Sequence, residues 1–300
     1  MSSSSGRPRH AFKGIVCMVG AVAAFAGMDA LLKVFSTAYP AMEVAALRGA
    51  ASLPFLLAPL LLTGRLSELR PRRFGLHLLR GLLTVGVIWG FVYSVRVLSL
   101  ADAYSIFLAA PLIVTALSAP LLKEHVDGRN WFVIVIGLVG VLTMLRPSAS
   151  SLMTLGAIAA LFSATAYALG AVALRVVTRT DTTASIVFWT IALMTMCTAL
   201  LAVDGWVPVR PQHWGLLAAM GVLGAIGQSL LTEAFRAAPP STVAPFEYTA
   251  LLWGMGIDWA FWGVLPGARI LLGGGIVIGS GLYLIWSERN KAAVPESPHT

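Results

Sequence analysis

Arg96-Val97-Leu98-Ser99-Leu100-Ala101-Asp102-Ala103 leads into an apolar run that continues to Leu122. At a displacement of 140 residues, Arg236-Ala237-Ala238-Pro239-Pro240-Ser241-Thr242-Val243 leads into another, which continues to Val264. The same displacement lays Arg129 on Arg269, and Gly14 on Thr154, where a further apolar run begins. The identities are few, but the starts of the runs coincide, and self-similarity at a fixed displacement is the mark of an internal repeat. The chain therefore reads as one unit written twice, residues 12–146 and residues 152–287.

Ten apolar runs fill the two units: Gly14–Phe35, Ala41–Thr63, His77–Leu98, Ala101–Leu122 and Trp131–Leu145, then Met153–Leu174, Thr183–Val203, Trp214–Ala234, Thr242–Val264 and Ile270–Trp286. A helix that crosses the hydrocarbon core needs about 20 apolar residues, and most of these runs supply them. The connections are short and hold Pro, Gly or charge, as at Tyr39-Pro40, Arg70-Pro71, Asp127-Gly128 and Ala238-Pro239-Pro240. None is long enough for a soluble domain. Composition agrees, with 58% hydrophobic and 11% charged residues, where a soluble domain carries about a quarter charged. Five runs per half is an odd number, so the halves must cross the bilayer in opposite senses. The expectation is an all-α membrane protein of ten transmembrane helices in two inverted five-helix repeats, the common plan of secondary transporters. The basic start (Arg7, Arg9, Lys13) followed by apolar residues and Ala21-Val22-Ala23 imitates a cleavable signal peptide. The run goes on to Leu32, however, and the first repeat needs it as a helix, so it is read as retained.

The net charge of +8 does not point to nucleic acid, because Lys and Arg sit at the ends of apolar runs without interleaved aromatics. Their distribution sets an orientation instead. With the N-terminus in the cytoplasm, the inner connections hold 15 Lys and Arg, among them Arg65, Arg70, Arg72, Arg73, Arg129, Arg175 and Arg236; the outer ones hold four, Arg96, Arg146, Arg210 and Arg269. Both termini are expected to be cytoplasmic, in the inner (plasma) membrane. Cys17 and Cys197 lie inside apolar runs and read as small core residues. No Cys/His spacing suggests a metal, and no cofactor is implied.

Leu100-Ala101-Asp102-Ala103, Pro111, Leu122-Lys123-Glu124, Arg129-Asn130-Trp131 and Gly137-Leu138-Val139-Gly140-Val141 with Arg146-Pro147 resemble the first repeat of the drug/metabolite transporter superfamily, EamA type. Arg236, Ser241-Thr242-Val243-Ala244-Pro245 and Gly279-Ser280-Gly281-Leu282-Tyr283-Leu284 resemble the second. The resemblance covers about residues 12–287 and is closest to the YddG-type amino-acid exporters. It implies a central cavity lined by helices 1, 3, 4, 6, 8 and 9, with helices 5 and 10 packed behind. One departure is plain. The family often repeats an acidic residue matching Glu124 near the end of its ninth helix, and here Phe261-Trp262-Gly263 stands there. Glu124 is expected to pair with Lys123 or Arg129 at the interface.

An ionised side chain at bilayer depth costs about 2.5–3.5 kcal/mol on insertion scales, so those present usually face a cavity or a partner. Asp29 and Lys33, four apart on one face of the first run, either form a gate, contact substrate or neutralise one another. Arg48 in the second run reaches Asp29, a lipid headgroup or Glu43. Trp89 and Tyr93 share a face of the third run and suit either an apolar cavity wall or an interfacial belt. Phe107 on the fourth run, Tyr167 in mid-sixth and Gln228 in the eighth are further cavity candidates, while Glu233 reads as an interface ion pair with Arg236. Glu247 is the sharpest signal: it lies a few residues into the ninth run, beside Tyr248, with no cation within four positions. It either serves substrate or a proton, or meets Arg48 or Arg80 from another helix. Pro111 marks a hinge or a static kink, and Gly275 and Gly279 a close-packing face.

The function expected is a secondary transporter that exports amino acids, aromatic and other apolar or neutral ones, or related metabolites. Riboflavin, a nucleoside, S-adenosylmethionine or a cationic drug are the alternative substrates. No GxxxxGK[ST] nucleotide loop occurs. An intramembrane enzyme would need a catalytic constellation deep in a run, and none is found. The expected partners are the small-molecule substrate and the lipid bilayer, with the chain working as a monomer.

Overall fold

A computed structural model describes residues 7–98, 100–124, 126–145, 154–263 and 267–293. His125 and the Arg146-Pro147 pair quoted above lie outside them. The elements are α1 (Arg7–Phe35), α2 (Ala41–Leu62), α3 (Phe74–Val97), α4 (Leu100–Phe107), α5 (Ala110–Leu122), α6 (Gly128–Leu145), α7 (Leu155–Val177), α8 (Thr183–Ala202), α9 (Trp214–Ala237), α10 (Pro240–Val243), α11 (Thr249–Trp262) and α12 (Ala268–Ala293). Short 3-10 turns occur at Leu66–Leu69, Val203–Gly205, Pro211–His213 and Ala244–Tyr248. Within α1, α2, α3, α7, α8 and α9 lie stretches long and apolar enough to cross a membrane. Shorter apolar helices, Ala110–Leu122, Gly128–Thr143 and Leu271–Trp286, belong to the remaining crossings.

The ten crossings follow once two of them are seen to be broken. The fourth is α4 plus α5, and the ninth is α10, the 244–248 turn and α11. Displacement by 140 lays Phe107, the last residue of α4, on Glu247 inside that turn. The break is thus a property of the repeat, and proline chemistry explains it. Pro111 stands in the first turn of α5 and Pro245 at the start of the 3-10 turn, where a missing backbone N–H is least costly. Pro111, expected as a hinge or kink within one helix, instead begins a new one.

Packing follows the repeat as well. The main pairings are α1 with α9, α3 with α7, α2 with α8 and α6 with α12. Every one joins the two halves. Exchanging the halves turns α1·α9 into α7·α3 and returns α2·α8 and α6·α12 to themselves. Two inverted five-helix repeats therefore interdigitate, and the principal seams of the fold lie between halves rather than within them. Glycines permit the closest approaches: a Cβ on Gly221 of α9 would strike the Ala51 backbone of α2, and one on Gly140 of α6 would come within 2.9 Å of the Gly273 carbonyl of α12. Gly275 and Gly279, expected as a close-packing face, face open space, and it is Gly274, Val277 and Ser280 that turn inward.

Candidate functional site

Glu247 projects from the 3-10 turn, where backbone hydrogen bonding tightens the ninth crossing between two helices. Tyr167, mid-way along the Ala-rich α7, places its hydroxyl within hydrogen-bonding range of the Glu247 carboxylate. The second carboxylate oxygen, Oε1, is buried without a hydrogen-bond partner among the described residues. Arg80 of α3 is buried, donates to Thr190 Oγ1 at 2.9 Å and lies close enough to Tyr167 to interact with its hydroxyl. The cation anticipated beside Glu247 is thus brought up through Tyr167, not by an ion pair. A buried acceptor left unmatched costs about 1–3 kcal/mol, so this oxygen is set to receive a donor.

From Tyr167 an aromatic path leads toward the other face. Phe107 meets Tyr167 edge-on at 5.8 Å between ring centroids, Phe91 of α3 meets Phe107 at 5.4 Å, and Tyr104 of α4 meets Phe91 at 5.0 Å. Asp29 of α1 acts electrostatically on Tyr104 and on Arg48 of α2. Six elements thus contribute Asp29 and Arg48, which act on one another electrostatically, and Glu247, Tyr167 and Arg80, with aromatic rings between the two groups. Sequence spacing pointed to Asp29, Arg48, Phe107, Tyr167 and Glu247. It did not select Phe91, Tyr104 or Arg80 as lining residues, because nothing along one helix tells which ring on another faces it.

Other candidates lie elsewhere. Trp89 stacks on Tyr93 at 6.1 Å, and both line a 390 Å³ cleft with Met42, Met194, Cys197 and Leu201, between α2, α3 and α8 and apart from the aromatic path. Tyr248 is 1% exposed and packs among Val141 and Val277, its ring against Gly137 of α6. It therefore fills the seam with the rear helices, not the space beside Glu247. Gln228 is half-buried on α9 and makes no side-chain hydrogen bond among the described residues. Lys33 is exposed at the end of α1. No group of three or more possible metal ligands assembles among the described residues.

The face that carries the N-terminus is held by polar contacts within the second half and between the halves. Arg175 of α7 donates to the carbonyls of Phe235 and Arg236 at the end of α9, at 2.8 and 3.0 Å. Arg236 of α9 returns the contact, donating to the carbonyls of Thr178 and Asp181 just past α7, each at 2.8 Å. Carbonyls at a helix C-terminus lack intrahelical donors and carry the negative end of the dipole, so a guanidinium is a fitting cap. Glu124, expected to pair with Lys123 or Arg129, pairs with Arg175 at 3.2 Å and Arg179 at 3.5 Å, across the repeat interface. Glu233 bridges Lys13 and Arg236, each at 3.4 Å, and accepts from Thr183. Buried His77 meets Asp181 at 2.8 Å. Burial alone would raise the Asp181 carboxyl, but hydrogen bonds from His77, Thr180 and the Arg72 backbone N–H outweigh it and hold the group below its ordinary range. At the opposite face, Tyr39 accepts from the Arg210 backbone and bonds His213 Nδ1 at 2.8 Å, and Glu43 accepts from Val207 N at 2.9 Å.

Comparison with known proteins agrees with this architecture. Residues 12–146 and 154–287 each match the EamA-like transporter family. The pseudopaline exporter CntI of Pseudomonas aeruginosa is 30% identical over 266 residues, covering 88% of this chain and 93% of its own. A riboflavin transporter of Vibrio cholerae is 28% identical over 292 residues, covering 94% and 96%. An S-adenosylmethionine uptake transporter of Rickettsia prowazekii is 23% identical over 263 residues, covering 88% and 89%. A solved crystal structure superposes with a TM-score of 0.76 at 19% identity, over 94% of this chain and 99% of that one.

Proposed function

Since the chain belongs to the EamA-like transporter family, we propose that it exports amino acids, or small metabolites built on them, by alternating access through the path between Asp29 and Glu247. The observation that carries this reading is the pairing of chemistries along that path. At one end Asp29 and Arg48 act on one another electrostatically, at the other Arg80 acts on Tyr167, which faces Glu247, and aromatic rings lie between. A zwitterion offers an ammonium to the unmatched Glu247 oxygen and a carboxylate to a guanidinium. An apolar or aromatic side chain then finds Phe91, Phe107 and Tyr104. Inverted repeats supply the two access states, since exchanging the conformations of the halves moves the opening from one face to the other. The charge bias of the connections favours cytoplasmic termini in the plasma membrane, and the monomer contains the whole path.

Counterflow in proteoliposomes tests this. Vesicles preloaded with an unlabelled neutral amino acid should accumulate labelled phenylalanine or leucine saturably, and absence of exchange for every amino acid would refute the substrate class. A second reading has its own support: the edge-to-face rings suit a planar heterocycle, and the riboflavin transporter of Vibrio cholerae is similar along nearly the whole chain. Saturable riboflavin counterflow without amino-acid exchange would establish it instead.

A further inference from the structure

We propose that the connection between α2 and α3 forms, with the corner between α7 and α8, a site for the headgroup of an anionic phospholipid in the leaflet at the N-terminal face. The sequence here is Arg65-Leu66-Ser67-Glu68-Leu69-Arg70-Pro71-Arg72-Arg73, four cations to one acid within nine residues. The structure shapes it into a polar pocket of 420 Å³ lined by Ser67, Glu68, Arg70, Arg72, Asp181 and Thr182, with Pro71.

Three features make this a built site and not a solvated charge run. Its two carboxylates are already matched inside the protein: Glu68 by Arg65 at 2.6 Å, and Asp181 by His77 at 2.8 Å together with the Arg72 backbone N–H at 3.0 Å. The guanidinium groups of Arg70, Arg72 and Arg73 are exposed and make no ion pair among the described residues. The pocket therefore presents uncompensated positive charge. Next, its walls are fixed in advance. The Leu69 carbonyl accepts from Trp189 Nε1 at 3.1 Å and Ser185 Oγ at 3.3 Å, and the Glu68 carbonyl accepts from Thr182 at 2.6 Å. The backbone that shapes the pocket is thus ordered before binding.

The third feature decides what binds. Directly below the pocket α3 begins, and Phe74, Leu78 and Leu82, four apart on one face, are 46%, 46% and 63% exposed. A phosphodiester held by Arg70 and Arg72 would lay its acyl chains along that face. A soluble anion matches the pocket but has no use for the stripe. Clusters of Lys and Arg immediately beside a transmembrane helix attract anionic lipid by the same electrostatics.

Native mass spectrometry of the full chain, released from micelles doped with equal phosphatidylglycerol and phosphatidylcholine of the same acyl chains, tests the proposal. The wild-type chain should retain one phosphatidylglycerol. The paired substitution Arg70→Gln with Arg72→Gln should lower that retention about thirtyfold through loss of two charges, while Arg70→Lys with Arg72→Lys keeps most of it. Equal retention by the wild type and the Gln pair, equal retention of phosphatidylcholine, or displacement of the lipid by millimolar inorganic phosphate would each overturn it, the last by showing a site for a soluble anion. Should the Gln pair not fold, the wild type alone decides: raised salt must strip the retained lipid, and salt-insensitive retention counts against the site.

Discussion

Glu247 shows how much of a site one residue can reveal and where the revelation stops. Its depth and the lack of a nearby cation mark it in the sequence, because an unexplained carboxylate in an apolar run must have a task or a partner. That its partner is the Tyr167 hydroxyl, with Arg80 behind, depends on three helices meeting, which no spacing encodes. A hydrogen bond to a charged group is worth about 1.5–3 kcal/mol, so Glu247→Gln should reduce exchange about ten- to a hundredfold at unchanged expression. Tyr167→Phe removes the hydroxyl that faces this carboxylate, a bond in the same range, and exchange should fall about tenfold or more. Initial rates in proteoliposomes measure both. Asp181 makes a different prediction. Its carboxyl is held below the ordinary range, which lies near 4. Its stabilising contribution is complete above about pH 4 and is lost as pH falls through the lowered value. The thermal midpoint of the wild type should therefore drop more steeply on acidification below pH 4 than that of Asp181→Asn, which should start lower at neutral pH.

At the scale of elements, the helices were legible as apolar runs, but their faces were not. The seam between α2 and α9 rests on Gly221, where any Cβ would meet the Ala51 backbone. Gly221→Val should destabilise by about 1–3 kcal/mol, as overpacking does, whereas Gly254→Ala, with open space around it, should leave the thermal midpoint unchanged or raise it. The glycine stripe Gly275–Gly279 was misplaced for a general reason. In lipid, small residues permit approach, but they do so only where another helix arrives, and a stripe carries no record of its neighbour. The broken crossings are the converse. Pro111 and Pro245 lie in sequence where each break occurs, and only the paired breaks show that proline begins an element here and does not bend one.

For the whole molecule, the exchanged arginine caps are the consequential feature. Arg175 and Arg236 each hold carbonyls of the other's helix end. An opening of the N-terminal face that parts α7 from α9 would break these bonds. Arg175→Gln should favour that opening. A cysteine placed at Ala237 should then react with a membrane-impermeant thiol reagent, applied from the N-terminal side, about five- to tenfold faster than in the wild-type background, as loss of about 1 kcal/mol of closing bonds predicts. An unchanged rate would deny the caps a part in opening. The sequence by itself determined the lipid environment, the ten crossings and the inverted repeat, because hydrophobic length and the parity of crossings are one-dimensional properties. Only the tertiary structure decided which side chains share the path, since in lipid apolar faces are alike to the solvent and helix partners are selected by close packing and polar contacts across crossings distant in sequence.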